Sequence, residues 1–352
     1  MSIVSNLKFS LGKNEAFLVT SEENTRYITG FPHSEGRVLI TETEALFFVD
    51  SRYIEAVTKS VKSCEVALMT SFHKQLSEII GKLGVKTVFT EAEGISVADF
   101  SALCKNVPCE FRAEKTDELL TSLRRKKSEE EKHKILKAQA IAEKAYDHIL
   151  GFIKEGVTER EIALELDFFM LKNGAECVSF DTIAVSGKNT SLPHGVPSDK
   201  KIAHGDFITM DYGAVVDGYH SDMTRTVAVG EVSSKQIEVY ETVLSAQKKG
   251  LEVLRAGISG FDADKAARDI IAQAGFGEFF GHGTGHGVGL QIHESPRLSP
   301  KSKHILETGD VVTVEPGIYI PDNFGVRIED MAIITENGFE NLTKTQKTLI
   351  IL

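Results

Sequence analysis

Short apolar runs and longer stretches of helical spacing take turns along the first third of the chain. Residues 16–19, 36–40, 45–49 and 87–89 are rich in Val, Leu, Ile, Phe and Ala, and each run predicts a strand; 71–83 carries its apolar residues at helical intervals and predicts an amphipathic helix. Such alternation indicates a sheet covered by helices. No catalytic constellation stands out there. The charge run Arg124-Arg125-Lys126-Lys127-Ser128-Glu129-Glu130-Glu131-Lys132 then opens a different pattern. Ser128 and Glu131 form a capping box, acids fill the first turn, and Ile135, Ala138, Ala142, Ala145 and Ile149 follow at helical spacing. This helix is predicted to end at Gly156. Thr158 and Glu161 start another, which stops at Asn173-Gly174, and further helices are predicted over 234–254 and 262–274.

The later apolar runs repeat one another. Gly205-Asp206-Phe207-Ile208-Thr209-Met210-Asp211-Tyr212-Gly213 is echoed 104 positions on by Gly309-Asp310-Val311-Val312-Thr313-Val314-Glu315-Pro316-Gly317. Both open with Gly-Asp, centre a strand on Thr, end in an acid and turn at Gly. The echo continues from Gly218 to Asp222-Met223 and from Gly325 to Glu329-Asp330-Met331. Two helix–hairpin halves related by a pseudo-two-fold are therefore expected.

Composition adds boundaries. At 352 residues the chain exceeds what one core commonly serves, so two domains are expected, 1–125 and 126–352. A net charge of −11 without a basic run points away from nucleic acid and from anionic membrane surfaces. No apolar stretch is long enough to span a membrane and no secretory signal opens the chain. Cys64, Cys104, Cys109 and Cys177 lack Cys-x-x-Cys spacing and are expected to be reduced, mostly buried thiols of a cytoplasmic protein.

The repeat carries the candidate chemistry. Asp211 and Asp222 lie on strands joined by a turn near Asp217-Gly218, so both can face one cavity, and Glu315 and Glu329 repeat the arrangement. Apolar neighbours such as Met210 and Val314 make four solvated hairpin acids the weaker reading, because carboxylates among apolar residues are costly to bury unless paired or metal-bound. His286, set among the glycines of Gly281-His282-Gly283-Thr284-Gly285-His286-Gly287-Val288-Gly289, can add an imidazole. The glycine spacing fits neither a phosphate loop nor a dinucleotide fingerprint, and His293-Glu294 is no zincin motif because Arg297 stands where the second His belongs. Four acids and one imidazole suit two divalent ions, Mn²⁺, Co²⁺ or Zn²⁺, in a hydrolytic centre.

Asp211-Tyr212-Gly213, Ser221-Asp222-Met223-Thr224-Arg225-Thr226, Gly283 to Gly289, Glu315-Pro316-Gly317-Ile318-Tyr319 and Arg327-Ile328-Glu329-Asp330 resemble the motifs of the pita-bread metallopeptidases. That family includes prolidase, aminopeptidase P and methionine aminopeptidase. The resemblance spans the C-terminal domain and implies an α/β (α+β) chain, a creatinase-like N-terminal α/β domain followed by a pita-bread domain. It implies that Asp211 chelates one metal, Asp222 and Glu329 bridge two, and His286 and Glu315 complete the second, with Glu315 also carrying the proton. Leu192-Pro193-His194-Gly195, His293-Glu294 with Pro296-Arg297, and the N-terminal domain itself resemble the proline branch. Creatinase shares that domain but does not use the five ligands. By this resemblance His194 would line the substrate cavity, His293 would hydrogen-bond the scissile carbonyl or its oxyanion, His282 would lie near the leaving group, and Arg327 and Tyr319 would orient the centre.

The expected reaction is hydrolysis of the bond between any residue and proline, with dipeptides favoured. An aminopeptidase acting on longer peptides is the alternative, and a non-catalytic pita-bread binding module a more distant one. A proline amide has no N–H and a bulky ring, so a pocket must accept the ring; Phe180 with the edges of His194 and His293 is a candidate wall, or Phe180 is simple core. Arg297 is a candidate for the free carboxylate of a dipeptide. The resemblance further implies a homodimer in which the loop Gly30-Phe31-Pro32-His33-Ser34-Glu35-Gly36 of one subunit approaches the active site of the other; an ordinary surface turn is the plainer reading of that loop.

Overall fold

A computed structural model describes residues 2–32 and 35–352, so His33 and Ser34 of the loop singled out above lie outside the described residues. The chain forms two compact units, Met1–Arg124 and Arg125–Leu352. In the first, helices α1 (Ile3–Phe9), α2 (Glu22–Thr29), α3 (Ile54–Ser60), α4 (Phe72–Leu83), α5 (Val97–Asn106) and α6 (Thr116–Arg125, which runs into the boundary) accompany strands β1 (Glu15–Val19), β2 (Gly36–Thr41), β3 (Ala45–Val49), β4 (Glu65–Leu68), β5 (Thr87–Thr90) and β6 (Glu110–Arg112). The strands make one mixed sheet in the order β4-β3-β2-β1-β5-β6. Both faces are buried: Phe17, Val19, Val38, Ile40, Phe47 and Val49 enter one core, and Ala16, Leu18, Leu39, Leu46, Phe48 and Val88 the other. That is why these strands read as unbroken apolar runs and not as alternating ones.

The second unit begins with α7 (Glu129–Leu150) and α8 (Glu159–Lys172), each opened by a capping box, from Ser128 and Glu131 and from Thr158 and Glu161. Strands β7 (Cys177–Val178), β8 (Ile183–Ser186), β9 (Phe207–Tyr212), β10 (Ala214–Val216), β11 (Tyr219–His220) and β12 (Met223–Ala228) follow. Helices α9 (Ser234–Glu252) and α10 (Gly260–Gln273) then lead to β13 (Gly285–Gly287), β14 (Glu294–Leu298), β15 (Val311–Val314), β16 (Gly317–Ile320), β17 (Phe324–Arg327), β18 (Asp330–Thr335) and β19 (Gly338–Asn341). The halves match. β9 pairs antiparallel with β12, and β15 with β18, each across an intervening short pair of strands. Helices α7 and α8 bury Ala142, Ala145, Ile149, Ile162 and Leu166 against Ile208, Met210 and Tyr212, while Val239, Val243 and Ala267 of α9 and α10 pack with Phe207, Ile318 and Val326. The two helix–hairpin halves expected from the echo are present.

Some boundaries differ from the sequence reading. The helix expected to reach Gly156 stops at Leu150, capped by Gly151. The chain leaves the axis there so that Ile153, bonded back to the Ile149 carbonyl, reaches the core; Gly156 adopts φ +88° later in the connection. Helix α10 begins two residues before Asp262, because Ser259 is the cap and its Oγ accepts from the Asp262 amide. The cysteines are free, as expected, but not mostly buried: Cys104 and Cys177 are exposed and Cys64 and Cys109 half-buried. Cys104 lies on α5, a helix that buries only Leu103, and Cys177 on a two-residue strand. Burial still pushes the Cys109 thiol up to about 11.

Candidate metal centre and active site

The four acids come together through strand register. Asp211, the last residue but one of β9, pairs opposite Thr224, and Asp222 immediately precedes β12. In the second half Glu315 follows β15 and Glu329 precedes β18. The Glu329 amide donates to the Thr224 carbonyl at 3.1 Å, which stitches the two halves where the acids converge. Gly285 lets β13 press against β15, since a Cβ there would sit 2.0 Å from the Thr313 carbonyl oxygen. His286, one residue on, is thereby placed among the acids.

One ligand atom each from Asp222, His286 and Glu329 lies within 4.8 Å of the others. His286 Nε2 is 3.6 Å from Asp222 Oδ2 and 3.2 Å from Glu315 Oε1. His286 Nδ1 faces the Gly287 carbonyl at 3.2 Å. A carbonyl only accepts, so the Nδ1 proton points at Gly287 and the Nε2 edge is presented to the carboxylates. Asp211 lies outside that tight trio, with Oδ2 held by Arg327 at 2.6 Å, and lines the same cavity. Thr224 donates to Glu329 Oε2 at 2.7 Å; Thr313 donates to Glu315 Oε1 at 3.2 Å and accepts from the His286 amide.

The electrostatics follow. Burial and the charges of Asp211 and Glu315 push Asp222 well above the carboxylate range, and burial with Asp222, Glu315 and Asp211 does the same to Glu329. Burial raises Asp211 too, although Arg327 opposes it. Burial acts upward on Glu315 as well, yet the hydrogen bond and charge of His286 outweigh it and bring Glu315 down to about 2. Asp211 Oδ1 is buried without a hydrogen-bond partner. A repelling group of buried carboxylates, one orphaned oxygen and one oriented imidazole fit divalent cations, and the oxygen-rich donor set suits hard to borderline ions.

These side chains line a cavity of about 930 Å³ together with Phe180, Ile183, Leu192, His194, His282, Ile292, His293, Arg297 and Arg327. Tyr319 does not line it. Its hydroxyl accepts from Arg327 Nη1 at 2.9 Å and faces His282 Nε2 at 2.9 Å, and burial pushes it up to about 12. His282 gives its Nδ1 proton to the Gly283 carbonyl, and burial lowers its basicity. Arg327 also donates to the Pro193 carbonyl at 3.2 Å, beside His194 in the turn that follows Ser191. His293 packs edge-on to His286, ring centroids 4.4 Å apart, and burial with the nearby His286 and Arg297 lowers it to about 4. Arg297 and His194 are exposed at the cavity.

The sequence reading missed Ile183, Leu192 and Ile292 as cavity walls and Thr224 and Thr313 as supports. Leu192 lay inside a quoted motif and Thr313 at the centre of the repeated strand. Ile183 carried no local signal: it is placed by pairing opposite Asp211.

Residues 133–336 match metallopeptidase family M24, and residues 12–126 match the creatinase/prolidase N-terminal domain. An Xaa-Pro dipeptidase of Pyrococcus horikoshii is 43% identical over 340 residues, 96% of this chain and 94% of the relative. Among solved structures, an Xaa-Pro dipeptidase from Bacillus anthracis aligns with a TM-score of 0.96 at 42% identity, covering 99% of both chains. An X-Pro aminopeptidase from Thermotoga maritima MSB8 aligns at 0.89 and 37% identity, covering 96% of this chain and 97% of the other.

Proposed function

This chain belongs to metallopeptidase family M24, and from that premise we propose that it is a metal-dependent Xaa-Pro dipeptidase, hydrolysing the bond between any residue and a C-terminal proline. One observation carries the reading: four carboxylates and the His286 imidazole meet in a cavity with apolar walls and an exposed guanidinium. The N- and C-terminal family matches and the dipeptidase relatives support it.

Asp211, Asp222, His286, Glu315 and Glu329 would hold two divalent ions, whose combined charge offsets four carboxylates; Mn²⁺ is favoured, with Co²⁺ or Zn²⁺ as other candidates. When bound, the ions supply an activated water and Lewis-acid polarisation of the carbonyl. The chain's own groups do the rest. Glu315 takes a proton and delivers it towards the proline nitrogen. His293 donates a hydrogen bond to the carbonyl oxygen as negative charge develops there, and His194 closes the same side of the cavity. Phe180, Ile183, Leu192 and Ile292 give the pyrrolidine ring apolar contact. Arg297 pairs with the free carboxylate of the dipeptide. Arg327 and Tyr319 act through Asp211 and His282, holding both in place.

A second reading is an Xaa-Pro aminopeptidase acting on longer peptides, which the similarity to the Thermotoga structure favours. A non-catalytic binding module is set aside because all five candidate ligands are present. Four free thiols accord with a cytoplasmic home, and a homodimer completes the reading.

Arg297→Ala separates the two peptidase readings. In a dipeptidase it weakens Xaa-Pro cleavage, mainly through KM, while cleavage of Xaa-Pro-Yaa changes less. Equal losses on both substrates would remove the carboxylate role of Arg297.

A further inference from the structure

Outside the acid cluster, the second unit buries another ion pair, and the reaction as described makes no use of it. Lys127 Nζ and Glu294 Oε1 are 2.5 Å apart, with side chains 1% and 6% exposed. Burying two charges is costly unless their geometry is well held, and such pairs are weak contributors to stability. A role in placing neighbours is the better account here.

The neighbours are the site. Glu294 follows His293 and opens β14, where it pairs with Gly287, the residue after His286. Between His286 and Gly287 the register shifts, so β14 advances from Arg297 to Glu294 while β13 advances one residue. The regular ladder is interrupted at this corner. The turn between the two histidines is folded over the Glu294 side chain: a Cβ on Gly289 would lie 2.4 Å from Glu294 Oε1, and the Gly289 amide bonds the Gln291 carbonyl. The carboxylate is therefore the floor of the turn that delivers His293, and Lys127 fixes the carboxylate.

Lys127 is itself strapped to the opposite side of β13. Its amide bonds the Gly309 carbonyl at 3.1 Å, and Arg125 makes a two-pronged contact with Asp310 at 2.9 and 2.6 Å. Gly309 and Asp310 lead into β15, and the strand order is β14-β13-β15. Residues 125–127 thus grip both strands that flank His286.

We propose that Lys127 and Glu294 are positioning residues that set the approach of His293 to the reacting carbonyl, an inference that rests on the oxyanion role proposed for His293. Neither touches substrate. Their effect passes through the His293 turn, so it should appear in kcat and vanish once His293 is gone.

The test is a double-mutant cycle on the metal-loaded full chain with an Xaa-Pro dipeptide, pairing Lys127→Met with His293→Ala. Lys127→Met is expected to lower kcat by up to about 10²-fold, the scale of a misplacement near 1 Å, with KM and metal content unchanged. In the His293→Ala background the same change is expected to leave kcat where His293→Ala put it. Glu294→Gln, which removes the charge and keeps the shape, is run in parallel and should reproduce the pattern if Lys127→Met folds poorly. Equal losses in both backgrounds, or a loss that tracks metal content, would overturn the inference while leaving the role of His293 standing. A His293→Ala enzyme with wild-type kcat would instead remove that role, and this inference with it.

Discussion

Asp222→Ala and Glu329→Ala are each expected to yield folded protein whose peptidase activity falls to background and whose metal content drops below wild type. Both acids stand at the centre of the cluster, within 4.8 Å of His286 through one ligand atom each, and both are held far above the ordinary carboxylate range by burial and by neighbouring acids. Divalent ions reverse that repulsion, so losing one acid removes charge and a donor together. The helices should persist, because α7 to α10 are anchored in apolar cores that exclude these acids. Asp222→Asn sharpens the test by keeping the volume. In chelator it should melt no lower than wild type, since the amide keeps the volume and carries none of the charge that burial and the neighbouring acids disfavour. With metal the order should invert, because wild type gains binding free energy that the variant lacks. Circular dichroism, metal analysis and activity on one preparation decide it. Full activity in Asp222→Ala would end the metal assignment.

His293→Ala has the next largest expected effect. The imidazole lies edge-on to His286 and lines the cavity without belonging to the tight donor trio. It is assigned to substrate, so kcat should fall by roughly 10²–10³, the scale of removing one oxyanion donor, while metal content stays at the wild-type level. Metal loss in proportion to activity would make His293 a ligand in place of a substrate group.

Much of this site was legible because it is written twice. The Gly-Asp, Thr, acid, Gly order of residues 205–213 returns in 309–317, and a repeated acid in an apolar strand is hard to explain as solvated surface. The pairings β9–β12 and β15–β18 fold both copies alike. Capping boxes at Ser128 and Thr158 were readable for a different reason: their chemistry is complete within four residues. What escaped needed partners distant in sequence. The stop of α7 at Leu150 depends on Ile153 finding the core, and Gly156, a strong local breaker, lies beyond it. The exposure of Cys104 and Cys177 depends on which face of an element meets its neighbour. Lys127 reads as one more charge in a mixed charge run, and only the fold brings it to Glu294, 167 residues on. Ile183 becomes a cavity wall solely through its register with Asp211.

The central claim is that this metal centre cleaves bonds to proline in dipeptides. Its most direct test is kcat/KM of one metal-reconstituted preparation on an Xaa-Pro dipeptide, the matching Xaa-Ala dipeptide and the Xaa-Pro-Yaa tripeptide, each with and without chelator. The account predicts metal-dependent cleavage of Xaa-Pro well above the other two. Activity that survives full metal removal, or Xaa-Ala cleaved as readily as Xaa-Pro, would contradict it, and Xaa-Pro-Yaa cleaved as well as Xaa-Pro would put the aminopeptidase in its place.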